Sequence, residues 1–263
     1  MKIRLIRAIL MFGFISGFAL WATGQQDTLN KVDKNGKKHG YWIKSERDTL
    51  LYEGRFDHGN PAGLFVYYYP DKKIKSTVEY TQQGKEARAV MYHANGAIMA
   101  VGKYWQQKKD STWKYFNESE RIISIEHYAK GVADGDWVKY NQDGMLIEKV
   151  QYVNGLKQGD WLQYFDDGKI KIKATYRDNL LNGIFYLYYS SGTFCVAGKY
   201  ENSIPVGTWI HYNIKGEIEK KETYKGGKKI KTEQLQPVTE PDSPEAKKEV
   251  EEMRQQLRNL GIE

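Results

Sequence analysis

The sequence has only one cysteine and six prolines among its 263 residues. The single Cys195 excludes an internal disulfide, and the lack of paired cysteines excludes the zinc sites that are built from them. Because it follows Phe194 in a predicted strand, we interpret Cys195 as a small packed residue rather than a nucleophile. Stability must therefore come from packing.

Dense arginine clusters are also missing, and the lysines are spread through predicted strands and turns. The formal net charge is +7, of which three charges lie in the first 24 residues and +4 in the remainder. This mild excess is not typical of a nucleic-acid-binding protein. Aromatic residues are abundant instead, with 20 Tyr and 7 Trp. Frequent Gly and Tyr favour short strands joined by turns over an α/β enzyme core.

The N-terminus resembles an export signal. Lys2, Arg4 and Arg7 precede an uncharged apolar run over 8–22, and small residues follow at 22–24. This pattern predicts cleavage before Gln25 and a periplasmic, outer-surface or secreted location. The alternative is an uncleaved membrane anchor, although the run is shorter than the ~20 residues that a bilayer needs.

A repeating frame occupies most of the chain. "GDWVKYNQDGMLIEKVQYVNG" at 135–155 is followed by "GDWLQYFDDGKIKIKATYRDN" at 159–179, which is a spacing of 24. The same spacing generates three aromatic columns with no insertion from 56 to 224. The first column is Phe65, Ala89, Trp113, Trp137, Trp161, Phe185 and Trp209; the second is Tyr68, Tyr92, Phe116, Tyr140, Tyr164, Tyr188 and Tyr212; the closing column is Phe56, Tyr80, Tyr104, Tyr128, Tyr152, Tyr176, Tyr200 and Tyr224.

Turn residues convert this frame into hairpins. Asp-Gly at 143–144 and 167–168 and Asn-Gly at 95–96 are strong hairpin-turn dipeptides, and Asn-Gly at 154–155 marks the turn between units. We therefore predict an all-β fold over 38–230, after a lead-in at 25–37. It is an elongated single-layer antiparallel meander of about eight stacked 24-residue hairpins, in which aromatic packing between repeats replaces a two-layer core.

The C-terminal part has a different composition. Residues 231–242 are polar and contain two prolines, which predicts a linker. Ser243 then fits a helix N-cap and Gly261 a stop, so a helix is expected over 243–261. Its apolar residues share one face, which either caps the last exposed strand edge of the array or binds a partner. These residues are Val250, Met253, Leu257 and Leu260.

The frame G-x-W-x-x-Y-x-x-x-G-x-I-x-x-x-x-x-Y-x-x-G resembles MORN repeats, particularly the bacterial variant form often labelled antitoxin-like. The similarity covers 38 to about 229. It implies an elongated sheet of stacked β-hairpins and a scaffold for protein contacts or, as in some eukaryotic members, lipid contacts. The longer second strand and denser Tyr of this chain depart from the eukaryotic pattern.

No catalytic constellation is evident, and we predict neither an enzyme nor a cofactor or metal site. The five histidines occupy five different positions of the 24-residue frame, and the common metalloprotease, hydrolase and phosphate-loop motifs are missing. Asp136 and Asp160 recur beside the Trp column but lie one repeat apart. We interpret them as solvated edge carboxylates.

The third copy is irregular because Ala89 replaces the first aromatic and Trp105 follows the closing Tyr. One interpretation is compensation, in which Met91, Met99 or Trp105 fills the gap. The other is a shallow partner patch with Met91, His93 and Trp105 as its contacts.

Three functions are compatible with these features. The leading hypothesis is an exported, non-catalytic scaffold that contacts an unknown protein or cell-envelope component. The second is an antitoxin or immunity protein. The third is binding to an anionic membrane surface or a polysaccharide through lysines such as those at 169, 171 and 173 or at 228, 229 and 231, although solvated strand faces explain these clusters equally well.

Overall fold

A computed structural model describes residues 29–237 and 241–262. The predicted export signal lies outside these residues. The described chain forms strands followed by one helix, α1, at Pro244–Asn259, and a short 3-10 turn at Gln82–Gly84. The strands are β1 Gly40–Glu46, β2 Thr49–Asp57, β3 Asn60–Tyr68, β4 Ile74–Thr81, β5 Glu86–Tyr92, β6 Ile98–Trp105, β7 Lys108–Phe116, β8 Ile122–Ala129, β9 Val132–Ala133, β10 Gly135–Tyr140, β11 Leu146–Val153, β12 Leu156–Tyr164, β13 Ile170–Arg177, β14 Leu180–Leu181, β15 Gly183–Tyr188, β16 Phe194–Glu201, β17 Ile204–Tyr212, β18 Ile218–Lys225 and β19 Lys228–Gln234.

The 19 strands form one open antiparallel sheet. Each strand pairs with the next along the chain, as in β1 with β2 and β17 with β18. The two-residue strands β9 and β14 are interrupted beginnings of β10 and β15, since β8 pairs with both β9 and β10 and β13 with both β14 and β15. Counted this way, the sheet is a meander of eight hairpins followed by β19, and the predicted fold class is confirmed.

The last strand differs from the sequence prediction. β19 includes the first four residues of the segment predicted as a linker, and it pairs with β18 from Lys228 to Gln234. Its residues are all exposed and mostly charged or polar. An edge strand forms main-chain hydrogen bonds with a neighbour on one side only, and charged residues such as lysine are common in it. Its composition can therefore resemble that of a linker.

The hairpin turns explain the recurrent glycines. Gly144 has a φ of +85°, and at the turn between units Asn154 and Gly155 have φ values of +49° and +84°. Two consecutive residues with positive φ match the type I′ turn, whose twist suits antiparallel strands. Lys72 and Glu120 keep a positive φ in copies without the glycine, which shows that strand pairing imposes the turn.

One face of the sheet carries the buried rings, and we call it the aromatic face. It presents the first and closing aromatic columns, which alternate with residues of the other face. Trp113, Phe185 and Trp209 have no exposed surface. Phe185 contacts Tyr200 edge to face at 5.6 Å, and Tyr200 contacts Trp209 at 5.0 Å. Packing between neighbouring repeats therefore forms the core, as predicted.

The second aromatic column lies on the opposite face. Each of its rings pairs across its own hairpin with the apolar residue that follows the turn, as Tyr140 does with Leu146. Tyr188 and Phe194 stack at 5.0 Å, and Phe194 reaches Tyr212 at 5.7 Å. This face remains partly open, with Phe194 39% exposed.

The predicted C-terminal helix is confirmed. Ser243 caps α1, with its Oγ accepting a hydrogen bond from the Ala246 N–H at 3.1 Å. Met253 and Leu257 are buried in the core cluster, with Val250 and Leu260 packed beside them. No helix in the described residues is both long and apolar enough to cross a membrane.

The helix lies on the aromatic face rather than along the edge of β19. Tyr200 of β16 donates its hydroxyl to the Leu260 carbonyl at 2.9 Å, and Tyr224 of β18 donates to the Ile262 carbonyl at 2.7 Å. The expected cap over the last strand edge is therefore not what α1 forms. Buried rings offer Met253 and Leu257 far more apolar contact than the charged strand β19 could.

Candidate functional site

The structure does not bring the predicted patch residues together. Met91 packs against the small buried residues of the aromatic face. Trp105 follows Tyr104, which belongs to that face, so the strand alternation directs Trp105 to the opposite side. His93 lies beyond the end of β5, where its Nε2 donates to the Phe116 carbonyl at 2.9 Å. The structure therefore places these three residues apart rather than in one continuous patch.

The ring missing at Ala89 is compensated by the next repeat. Ala89 pairs with Gly102, and the indole of Trp113 lies directly over Gly102, where a Cβ would be 2.2 Å from a ring atom. Ala87 and Ala100 are buried beside it. The Trp113 ring over these small residues, with Met91 beside them, fills the space that the missing ring would occupy. Trp105 does not contribute to this packing.

A recess of about 290 Å³ nevertheless opens in the irregular copy. Val78 and Ala87 form its floor, and the closing rings Tyr80 and Tyr104 are among its walls. Lys85 lies among its lining residues. We call this the Tyr80–Tyr104 recess.

The walls of this recess correspond to the tyrosines that hold α1. Tyr80 and Tyr104 are closing residues of consecutive repeats, as are Tyr200 and Tyr224. The latter pair donates to the two carbonyls that follow α1. The Leu260 carbonyl belongs to the C-cap residue and the Ile262 carbonyl lies two residues further on, where intrahelical donors have run out. The closing column therefore contains one ring pair that holds the end of α1 and, in the irregular copy, another pair that lines an open recess.

Burial raises the pKa of two phenols at and near the recess. It raises the pKa of Tyr104, and burial together with the hydrogen bond between Tyr67 and Tyr80 raises the pKa of Tyr67 well above its usual range. The Tyr67 and Tyr80 hydroxyl oxygens are 3.3 Å apart. Neutral phenols can donate hydrogen bonds while their rings offer apolar surface, so the recess suits an apolar segment with exposed carbonyls.

A buried charge cluster supports the last repeats near α1. Glu222 is 1% exposed, and its Oε1 accepts hydrogen bonds from Lys220 Nζ at 2.9 Å and Lys229 Nζ at 3.0 Å. His211 Nε2 is 3.0 Å from the other carboxylate oxygen. Burial by itself raises the pKa of Glu222, but the nearby His211, Lys220 and Lys229 outweigh it and hold the pKa well below its usual range. The carboxylate is thus ionised and structural.

A second polar cluster lies at the first hairpin, and the sequence prediction missed it. His39 precedes β1, Asp57 is the last residue of β2 and His58 follows it. His39, Asp57 and His58 each direct one potential metal-ligand atom into a space where these atoms lie within 4.8 Å of one another. They were missed because comparing the positions of histidines within the 24-residue frame detects only residues that occupy the same position in several repeats. The pairing of the strands that adjoin them would have revealed them.

Asp33 of the lead-in completes this cluster. Its Oδ2 accepts a hydrogen bond from His58 Nδ1 at 2.6 Å. That hydrogen bond is the main cause that lowers the pKa of Asp33 to about 2.

The other candidate reactive groups are engaged structurally. His127 Nδ1 donates to the Asp136 carbonyl at 2.5 Å. The Asp136 carboxylate lies 2.9 Å from Lys149 Nζ and is 47% exposed, in agreement with a solvated edge residue. Cys195 is buried in the core cluster below α1.

The lysine clusters make mostly local contacts. Lys169 Nζ donates to the Ser190 carbonyl at 2.8 Å and pairs with Asp167 at 2.9 Å. Lys171 lies over the Phe165 ring at 5.6 Å, and Lys229 is held by Glu222. These contacts favour solvated strand faces over a dedicated anionic-surface site.

Comparisons with known proteins recognise the repeats. The family model described as MORN repeat variant matches residues 62–82, 133–154 and 157–178. No curated protein matches the chain. The solved structures with some likeness include a mutant of S. aureus TarM in complex with Fondaparinux, alpha-GlcNAc-glycerol and UDP, at 12% identity and a TM-score of 0.28, over 36% of this chain and 19% of that one.

Two other solved structures have lower TM-scores. Another crystal structure of TarM is 12% identical, with a TM-score of 0.27, and the chain again spans only 19% of its length. A porin-like protein from Bacteroides uniformis is 9% identical over 72% of this chain and 91% of that one, with a TM-score of 0.18.

The three matched segments lie at equivalent places in the hairpin meander, each at or near the start of its hairpin, and the same aromatic columns continue through the repeats between and beyond them. The chain therefore contains MORN repeats of the variant type.

Proposed function

We propose that the protein is an exported, non-catalytic scaffold that binds a partner protein at the Tyr80–Tyr104 recess. MORN repeats commonly mediate protein or membrane contacts. The observation that carries the proposal is the equivalence of two tyrosine pairs in one array. Tyr200 and Tyr224 hold the end of α1, while Tyr80 and Tyr104 stand on either side of an uncovered recess.

The chemistry of the recess favours the C-terminal end of an amphipathic helix as its occupant. Val78 and Ala87 provide an apolar floor, and phenols can donate to the carbonyls that a helix end leaves without partners. Lys85 at the recess supplies positive charge, which complements the negative end of a helix dipole. The intramolecular contact with α1 is the precedent within the same molecule.

Site-specific photocrosslinking in the producing cell tests this proposal. A photoreactive amino acid at Gln107, which lines the recess, is compared with one at Leu64, which is 58% exposed on the opposite face. We expect a discrete crosslinked partner from position 107 but not from position 64. The change Ala87→Met, which fills the floor, should abolish the crosslink, provided that the melting temperature is retained.

Several outcomes would contradict the proposal. Equal crosslinking from both faces, or crosslinking that survives Ala87→Met in a folded protein, would show that the recess is not the binding site. Hydrolytic activity of the purified protein that one point mutation abolishes would overturn the non-catalytic scaffold. A toxic protein as the crosslinked partner would instead specify the scaffold as an immunity protein.

A further inference from the structure

The cluster at the first hairpin has the composition of a transition-metal site. Antiparallel pairing of Gly40 with Phe56 places the residue before β1 beside the residues at the end of β2. His39 Nδ1 lies 3.6 Å from Asp57 Oδ1, and His58 Nε2 lies 3.8 Å from the same oxygen. Ligand atoms around a tetrahedral zinc ion are about 3.3 Å apart, given metal–ligand distances of ~2.0–2.1 Å. All three ligand atoms lie within 4.8 Å of one another, so the rings must rotate inward to close the site, and His39 Nδ1 must release the hydrogen bond that it accepts from the His58 main-chain N–H at 3.4 Å.

Asp33 adds an independent feature that is typical of metal-binding histidines. It accepts the Nδ1–H of His58, which fixes the ring and leaves Nε2 directed at Asp57. Histidine ligands of metals commonly donate their second N–H to a carboxylate in this way. The Asp33 side chain is 6% exposed and is itself held by the main-chain N–H groups of Asn35 and Lys37 at 2.8 and 3.0 Å.

Lys38, which precedes His39, lies on the aromatic face and away from the cluster. Its Nζ donates a hydrogen bond to the Tyr52 hydroxyl and lies 4.7 Å from the Trp42 ring centroid. The main chain around the ligands is also held in place. The His39 N–H donates to the Lys31 carbonyl, and the Gly59 N–H donates to the Lys38 carbonyl.

We propose that His39, Asp57 and His58 bind a divalent transition-metal ion, with Asp33 as the positioning residue for His58. Two imidazoles and one carboxylate suit Zn²⁺, Ni²⁺ or Cu²⁺ better than Mg²⁺ or Ca²⁺, which prefer oxygen ligands. Because the three ligands are exposed, water completes the coordination. The bound ion joins the lead-in, through Asp33, to the first hairpin and stabilises that end of the sheet by binding the folded state.

Calorimetric titration of tag-free full-length protein with Zn²⁺ tests the site. We expect one ion per chain, and binding that is lost in the double variant His39→Ala/His58→Ala. Asp33→Asn should weaken binding by about tenfold or more while retaining the stoichiometry. His93→Gln is the matched control, because His93 lies in another turn, and its affinity should equal that of the unchanged protein.

Co²⁺ absorption provides a readout that does not depend on heat. Visible absorption bands should develop with the unchanged protein and with His93→Gln, and not with the double variant. Circular dichroism of each variant without metal separates loss of ligands from loss of folding. Absence of Zn²⁺ binding up to about millimolar concentration, far above the range expected of a formed site, or unchanged binding by a folded double variant, would overturn the proposal.

Discussion

The indole ring of Trp209 lies directly against the main chain of Gly198, which belongs to the preceding strand. A Cβ at Gly198 would lie 2.1 Å from Trp209 Cδ2, which is far too short for two carbon atoms that are not bonded to each other. The ring cannot withdraw easily, since it is fully buried between Tyr200 and Phe185. The absence of a side chain at position 198 is thus a requirement of ring packing.

Gly198→Ala should destabilise the protein. The inserted methyl group must displace Trp209, so we expect a loss of about 1–3 kcal/mol in the free energy of unfolding. Denaturant unfolding measures this change. Lys199→Ala is the control, because Lys199 is 55% exposed on the other side of the same strand and should have little effect. If both variants retain full stability, the close packing of Trp209 on Gly198 is not rigid.

The ionised state of Glu222 makes stability depend on pH. Its pKa in the folded protein lies below the ordinary value of 4.5, so its contribution is present above about that pH and is lost as the pH falls further. Glu222→Gln should therefore be less stable than the unchanged protein at neutral pH, and the difference should narrow in acid. Urea unfolding of both proteins from about pH 7 to about pH 3 tests this linkage. A difference that widens in acid would contradict it.

Docking of α1 should contribute measurably to stability. Met253 is 2% exposed in the core cluster, so Met253→Ala should cost about 2–5 kcal/mol for the region that it covers. Lys248→Ala on the same helix is the control, because the Lys248 side chain is 80% exposed. Hydrogen exchange should show faster opening of α1 and of β16–β18 in the first variant only. Unchanged exchange in Met253→Ala would argue that α1 is not anchored by its apolar face.

Export should remove the basic N-terminal segment. We expect the mature protein to begin at Gln25, because small residues at 22–24 follow the apolar run. Intact-mass spectrometry of protein from the extracytoplasmic fraction measures the start site. A chain that keeps Lys2, Arg4 and Arg7 and remains in the cytoplasm would refute the export prediction.

The repeat frame predicted the fold well because its information is local. Each Trp, Tyr and Asp-Gly pair acts within one hairpin or between adjacent hairpins, so a spacing of 24 is sufficient to place it. The position of α1 is different. Apolar spacing identified Met253 and Leu257 as the docking residues, but sequence alone could not choose between the face and the edge of the sheet.

The candidate sites were harder to predict for a related reason. Met91 and Trp105 are close in sequence to the Tyr80–Tyr104 recess, yet strand alternation places them on opposite faces. His39 and His58 meet across one hairpin, a relationship that a comparison of equivalent repeat positions cannot detect. Explicit strand pairing is needed to find both features.

The charged edge strand β19 limits how copies of this molecule can associate. A meander of identical hairpins could in principle lengthen by edge-to-edge addition of further copies, as fibres do. Three lysines on β19 disfavour such addition at one end, and at the other end Asn30 of the lead-in donates its main-chain N–H to the Tyr41 carbonyl of β1. The sheet is thereby finite, and the number of encoded repeats, rather than polymerisation, sets its length.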